Sequence, residues 1–137
     1  MRSVALAALA AFAFGALLAQ TSAAPQCYAV RGMHVMLFGG VDDPDVLVWD
    51  SRVRLISYGA GSTDARQFLL PHALLNRPGT RAVVQSCVAG VVHSKFSMDA
   101  DDAVGVQIIS GRYRGRYGWV SSSDIRGRGI PEAQEPW

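Results

Sequence analysis

The densest run of chemically capable side chains is Arg112-Tyr113-Arg114-Gly115-Arg116-Tyr117-Gly118-Trp119, where guanidinium groups interleave with aromatic rings. Cations beside π faces suit stacking on sugars or bases and pairing with anions. Strand periodicity offers a plainer use of the same run, with arginines turned to solvent and rings turned into a core. Arg112, Tyr113, Arg114, Arg116, Tyr117 and Trp119 are therefore the candidate ligand-binding residues. Charge reinforces the choice. Between Arg112 and Arg128 five arginines (112, 114, 116, 126 and 128) stand with a single acid, Asp124.

Other constellations carry less. Acids gather in Asp42-Asp43-Pro44-Asp45 and in Asp99-Ala100-Asp101-Asp102. Neither run has the spaced loop with a terminal Glu that holds Ca²⁺, so both are expected to be solvated turns. The three histidines, His34, His72 and His93, have no neighbour at metal-ligand spacing. Ser86 and the serines at 121 to 123 lack a positioned base or a Gly-x-Ser-x-Gly turn. No nucleophile, base and orienter can be assembled, so no enzyme, metal or cofactor is expected.

The N-terminal residues set the expected compartment. Met1-Arg2-Ser3 is a short basic start, Val4 to Leu18 is apolar or small throughout, and Gln20 to Ala24 ends in small residues. That order is the tripartite export signal, with cleavage expected after Ala23. The apolar run is shorter than the roughly 20 residues that span a bilayer, and no basic residue follows before Arg31. A stable membrane anchor is therefore not expected. Lipidation at Cys27 is not expected either, because Gln26 and Ala24 occupy the positions that need a small and an aliphatic residue.

Removing Met1 to Ala23 from 137 residues leaves 114, enough for one domain. It also removes Arg2, leaving 12 of 13 basic residues against 11 acids. The expected mature chain is nearly neutral, so its overall charge names no partner. It holds two cysteines, Cys27 and Cys87. In an exported protein that even count implies a disulfide. Closing a loop of about 60 residues is worth about 4 kcal/mol in the chain-entropy model.

These residues must be held by short elements. Tyr28 to Phe38 and Val46 to Tyr58 read as two strands around an Asp/Pro turn, an N-terminal β-hairpin. Ala65 to Leu75 allows a helical turn on either side of Pro71, which forbids one continuous helix. Arg81 to Ala89 reads as a strand that Gly90 to Phe96 continues across a bend. Val104, Val106 and Ile108 alternate with Gly105 and Gln107 as a further strand. A turn or hairpin from Ser110 to Arg116 then leads to a strand from Tyr117 to Ser121, a short turn and a last brief strand at Ile125. Residues 129–137 have little to bury and are expected to form a loose tail. Short strands with frequent Gly/Pro turns predict an all-β barrel or sandwich spanning residues 27–128.

Pro78-Gly79-Thr80-Arg81-Ala82-Val83-Val84-Gln85-Ser86, followed by the segment from Val104 to Ile125, resembles the bacterial SH3-like family. The matching positions are Gly79, Thr80, Val104, Val106, Gly111, Gly115, Gly118, Trp119, Val120 and Ile125. The resemblance implies a small barrel, a Gly-containing hairpin, a Ser-rich one-turn helix and an aliphatic residue closing the barrel. It reaches from Gln67 to Arg128 at most and leaves Tyr28 to Tyr58 unexplained, which adds the N-terminal hairpin to the expected fold. Where polyproline-binding SH3 domains carry a proline and a tyrosine, this chain has Ser121 and Asp124. The aromatic groove for polyproline ligands is therefore not expected.

The expected function is a non-catalytic, periplasmic or secreted binding module of the cell envelope. Its partners would be cell-wall glycan or peptide, or an envelope protein, and not nucleic acid. The alternative is a secreted inhibitor or effector-like accessory that blocks an enzyme with the hairpin from Tyr28 to Tyr58.

Overall fold

The computed structural model describes residues 26–40, 43–95 and 97–128. The expected export signal, Met1 to Ala23, and the expected tail at 129–137 lie outside the described residues. Among the described residues are seven strands: β1 (His34–Leu37), β2 (Val46–Trp49), β3 (Ala73–Asn76), β4 (Thr80–Val92), β5 (Asp101–Ile108), β6 (Tyr117–Ser121) and β7 (Ile125–Arg126). Two helices, α1 (Arg52–Ala60) and α2 (Thr63–Leu69), and a one-turn 3₁₀ segment at Leu70–His72 fill the connection from β2 to β3. A second 3₁₀ turn, Ser122–Asp124, joins β6 to β7. The strands form one antiparallel sheet in the order β3-β2-β6-β5-β4-β1-β7, curled into a half-barrel.

Alternation builds the inside of the curl. Val104, Val106 and Ile108 of β5, Ala82 and Val84 of β4, Val35 and Leu37 of β1, Val120 of β6 and Ile125 of β7 are all buried in one apolar cluster. Val46 and Val48 of β2 join them. On the opposite face of the sheet a second cluster forms from Trp49, Leu55, Val92 and Ala103, with Ile56, Tyr58 and Trp119 packed against it. Helix α1 thus covers one end of the outer sheet face. β2 is buried on both sides, which accounts for its unbroken Val-Leu-Val-Trp run.

The expected N-terminal hairpin is not formed. β1 pairs with β4 and β7, whereas β2 pairs with β3 and, at Trp49 opposite Trp119, with β6. The expected second strand stops at Trp49, and Arg52–Ala60 is helical. Ser51 caps the helix, its hydroxyl accepting from the Arg54 amide at 3.2 Å. The alternation of Arg52, Val53, Arg54 and Leu55 spans only one helical turn, so it fits either period. Burial settled the choice, because Leu55, Ile56 and Tyr58 share one helical face against the second core. Asp50, one residue before the cap, bridges Arg54 at 2.6 Å and His72 at 3.3 Å and ties the start of α1 to the 3₁₀ turn before β3. Pro71 sits at the start of that turn, where its missing amide costs no hydrogen bond.

Cys27 and Cys87 form a disulfide with Cα atoms 6.2 Å apart and a sequence separation of 60. The bridge pins the segment before β1 against β4. There the Gly32 amide donates to Val84 O at 2.8 Å, the Val84 amide donates to Met33 O at 2.9 Å, and Ala29 is buried in the barrel core. Gly118 sets the other close approach. A Cβ there would strike Val48 Cγ1 and lie 2.7 Å from Trp49 O, so β2 can cross β6 only over a residue without a side chain.

Two stability outcomes follow. Cys27→Ser/Cys87→Ser should lower the unfolding free energy by about 4 kcal/mol, read as a shift in the urea midpoint matched by reduction of the native protein. Gly118→Ala should cost about 1–3 kcal/mol through overpacking. An unchanged midpoint for Gly118→Ala would show that β2 can move away freely.

Candidate functional site

The arginine-rich run forms the hairpin between β5 and β6. Gly111 and Gly115 take φ of +78° and +91°, values that favour glycine. The Gly115 amide donates to Ile108 O at 2.7 Å, and the Ile108 amide to Arg116 O at 2.9 Å. At the hairpin base, the Ile109 amide donates to Arg81 O and the Arg81 amide to the Ser110 hydroxyl at 2.8 Å. The tip is therefore anchored to β4 as well as to its own strands.

The six expected site residues are not brought into one surface. Arg112, Arg114 and Arg116 project from the tip into solvent. Tyr113 folds back against the barrel core, with the Arg112 guanidinium 5.5 Å from its ring centre. Tyr117 stands on the outer sheet face and is 64% exposed. Trp119, two residues further along the same face, packs into the second core. Its ring lies over Gly105, where an added Cβ would meet it at 3.4 Å, and Arg52 of α1 stacks on it at 5.6 Å. Its neighbour Val120 is the residue of the pair that faces the barrel interior.

A cleft of about 500 Å³ opens between this hairpin and the turn joining β3 to β4. Arg112, Tyr113, Arg77, Asn76, Thr80 and Asp45 are on its walls. The Thr80 hydroxyl donates to Arg77 O at 2.7 Å and the buried Asn76 amide donates to Leu74 O at 3.1 Å, so the floor is braced by its own polar groups. Among the described residues the salt bridges are those of Asp50 with Arg54 and His72. Neither guanidinium of the cleft is paired with a carboxylate there. The walls thus offer two cations, one anion and an aromatic edge, a set that can grip a carboxylate and an amine of the same ligand. Arg77 carries no motif, and Asp45 reads only as part of an acidic turn. Their place in the cleft depends on how β2 and β3 dock on the barrel.

The acidic runs meet in a second cleft, which shares Asp45 with the first. Asp43, Asp45, Asp101 and Asp124 line this cleft of about 180 Å³ with Ser121, Ser123 and His93. The Ser121 hydroxyl donates to Asp101 at 2.9 Å and lies 2.9 Å from the Ser123 hydroxyl. Burial pushes the Asp124 carboxyl up to about 7, helped by the charges of Asp101 and Asp43 and opposed by Arg126. One group of metal-type ligands is found among the described residues, Cys27, Cys87 and Asp102. Both its sulfurs are consumed by the disulfide, leaving a carboxylate that already accepts from the Gly90 amide at 2.9 Å.

Comparison with protein-family models, with curated proteins and with solved structures returns no match for this chain.

Asp124 gives the fold a pH dependence with a definite sign. Between about pH 4, where an unfolded aspartate ionises, and about pH 7, where the folded one does, only the native state keeps the proton. The contribution of Asp124 to stability is therefore full below that window and is lost as pH rises through it. Asp124→Asn should flatten the decline in thermal midpoint between pH 4 and pH 7.5, and an unchanged slope would assign it to other groups.

Proposed function

We propose that this chain is an exported, non-catalytic SH3-like binding module of the bacterial envelope. It would lose Met1 to Ala23 on export and act in the periplasm or outside the cell. The disulfide is compatible with either location. Three features support the SH3-like reading. Five strands lie in the order β7-β1-β4-β5-β6. A one-turn helix precedes the last strand, and Ile125 is fully buried behind it. Thr80 opens β4, while Gly111 and Gly115 shape the β5–β6 hairpin.

The cleft between the arginine hairpin and the β3–β4 turn carries the functional reading. Unpaired Arg77 and Arg112 across from Asp45 suit a ligand bearing both carboxylate and amine groups, such as the peptide part of a cell-wall polymer. A cleft of this size with few convergent polar groups is typical of a small-ligand site. The inhibitor alternative draws on the residues from Tyr28 to Tyr58. They enter β1, β2 and α1 rather than one hairpin, so a blocking surface there would be built from separate elements.

The mature, oxidised protein should be retained on purified peptidoglycan and released by salt. Arg77→Ala/Arg112→Ala should reduce retention by about tenfold or more, the scale of losing one or two charge-assisted contacts. Tyr113 is left intact because it packs into the core. Equal retention of the variant, or none of the native protein on wall or envelope fractions, sinks the reading.

A further inference from the structure

The outer face of the sheet is left open at the end that α1 does not cover. On β1 and β4 the residues between the buried positions point outward, which puts His34, Met36, Arg81 and Val83 on this side. Pairing aligns them in two rows. Arg126, Met36 and Arg81 lie side by side across β7, β1 and β4. His34, Val83, Gln107 and Tyr117 lie side by side across β1, β4, β5 and β6. Neither row contains an acid. A groove of about 270 Å³ runs along the first row, lined by His34, Met36, Arg81, Arg126 and Arg128.

The hairpin base adjoins this groove, because the Arg81 backbone is hydrogen-bonded to Ile109 and Ser110. Arg126 is engaged locally, donating to Ser123 O and Ile125 O at 2.8 and 3.0 Å. Arg81, Arg128, Arg114 and Arg116 have no carboxylate within salt-bridge distance among the described residues. Four acids, Asp43, Asp45, Asp101 and Asp124, line the cleft beside the Ser122–Asp124 turn instead. The groove on the open sheet face thus carries arginines and, among the described residues, no acid in its lining.

We propose that this face docks an acidic glycopolymer, a sugar-containing chain with recurring carboxylate or phosphodiester groups. The inference rests on the binding-module reading and adds a second contact surface beyond the cleft. Charge complementarity names the acidic component, since arginine forks bind carboxylate and phosphate oxygens bidentately. The second row names the sugar component. Tyr117 presents an exposed ring, and Gln107 and His34 in the same row present planar hydrogen-bonding groups for hydroxyls. Three strand spacings make this row about 14 Å long, which fits a chain better than a single small anion. Lipid docking asks for a broad apolar face. Here the exposed apolar residues of the two rows are Met36 and Tyr117.

The test measures binding of the oxidised chain to polygalacturonate, which carries carboxylates, and to a glycerol-phosphate teichoic acid. Neutral dextran, polyglutamate and phosphatidylglycerol vesicles are the comparators. Both acidic glycopolymers should bind, and log affinity should fall linearly with log salt. Arg81→Gln/Arg128→Gln, neither of which lines the cleft, should weaken binding about tenfold and lower the salt slope by roughly 1.5. Tyr117→Ala should weaken it about fivefold, the scale of one lost stacking contact. Unchanged thermal midpoints would show that the variants fold. Binding that is equal or stronger on polyglutamate or vesicles, or that the double variant leaves unchanged, overturns the proposal. Peptidoglycan retention without glycopolymer binding removes this inference and leaves the cleft reading standing. Glycopolymer binding without that retention does the reverse.

Discussion

The three-residue link between β6 and β7 is the constraint on which the rest of the structure depends. In the sheet these strands lie four positions apart, about 19 Å if the sheet were flat. The Ser122–Asp124 turn is a single 3₁₀ turn, which advances only about 2 Å per residue. The sheet must therefore curl until its β7 edge comes round to the end of β6. Curling makes one face concave, and the alternating Val and Ile of β5, with Val120 and Ile125, fill it. The same turn places Asp124 beside Asp101 and Asp43, because closure carries all three to one end of the barrel.

Closure also separates the functions of the two faces. The inside is packed mainly by apolar side chains, with Thr80 and Asn76 as buried polar residues. Outside, α1 covers the end marked by Trp49, Ala103 and Trp119, and leaves the end marked by Met36, Arg81 and Tyr117 to solvent. The segment from β2 to β3 therefore acts as a partial cladding on a five-stranded core. It reaches the cleft as well, since Asp45 and Arg77 flank its two ends and meet the hairpin residues Arg112 and Tyr113 there. A site built from an added segment and a core hairpin is set by the packing between them, and the disulfide holds the remaining loose segment, residues 27–33, onto β4.

Legibility followed the range of the interactions. Strand β5 was readable because alternation over Val104 to Ile108 is a local signal that its burial bears out. The hairpin glycines and the short turn before the strand at Ile125 were readable from local turn chemistry, whereas the one-turn helix was an expectation of the family resemblance. Helix α1 was not. Its apolar spacing around Val53 and Leu55 suits two periods, and the choice came from a second core whose other wall is distant β2, β4 and β5. β3 was obscured in a stretch dominated by Pro71, although its residues pair regularly with β2. Among the candidate residues, Arg112, Arg114 and Arg116 are where strand and turn logic puts them. Trp119 is outward-facing yet covered, because α1 lies over it.

The amino-acid sequence by itself determined the local grammar of this protein: strand and turn boundaries across Val104 to Ile125, the one available cysteine pairing, and a tip crowded with arginine. Those features depend on neighbours a few residues away, or on a count that allows one answer. Tertiary structure decided which strands pair, that Val46 to Tyr58 breaks into a strand and a helix, and that two acidic runs far apart in the chain share one cleft. It also decided that Arg77 and Asp45 face the hairpin. These outcomes turn on burying apolar surface between segments distant in sequence, a quantity that no short window of residues contains.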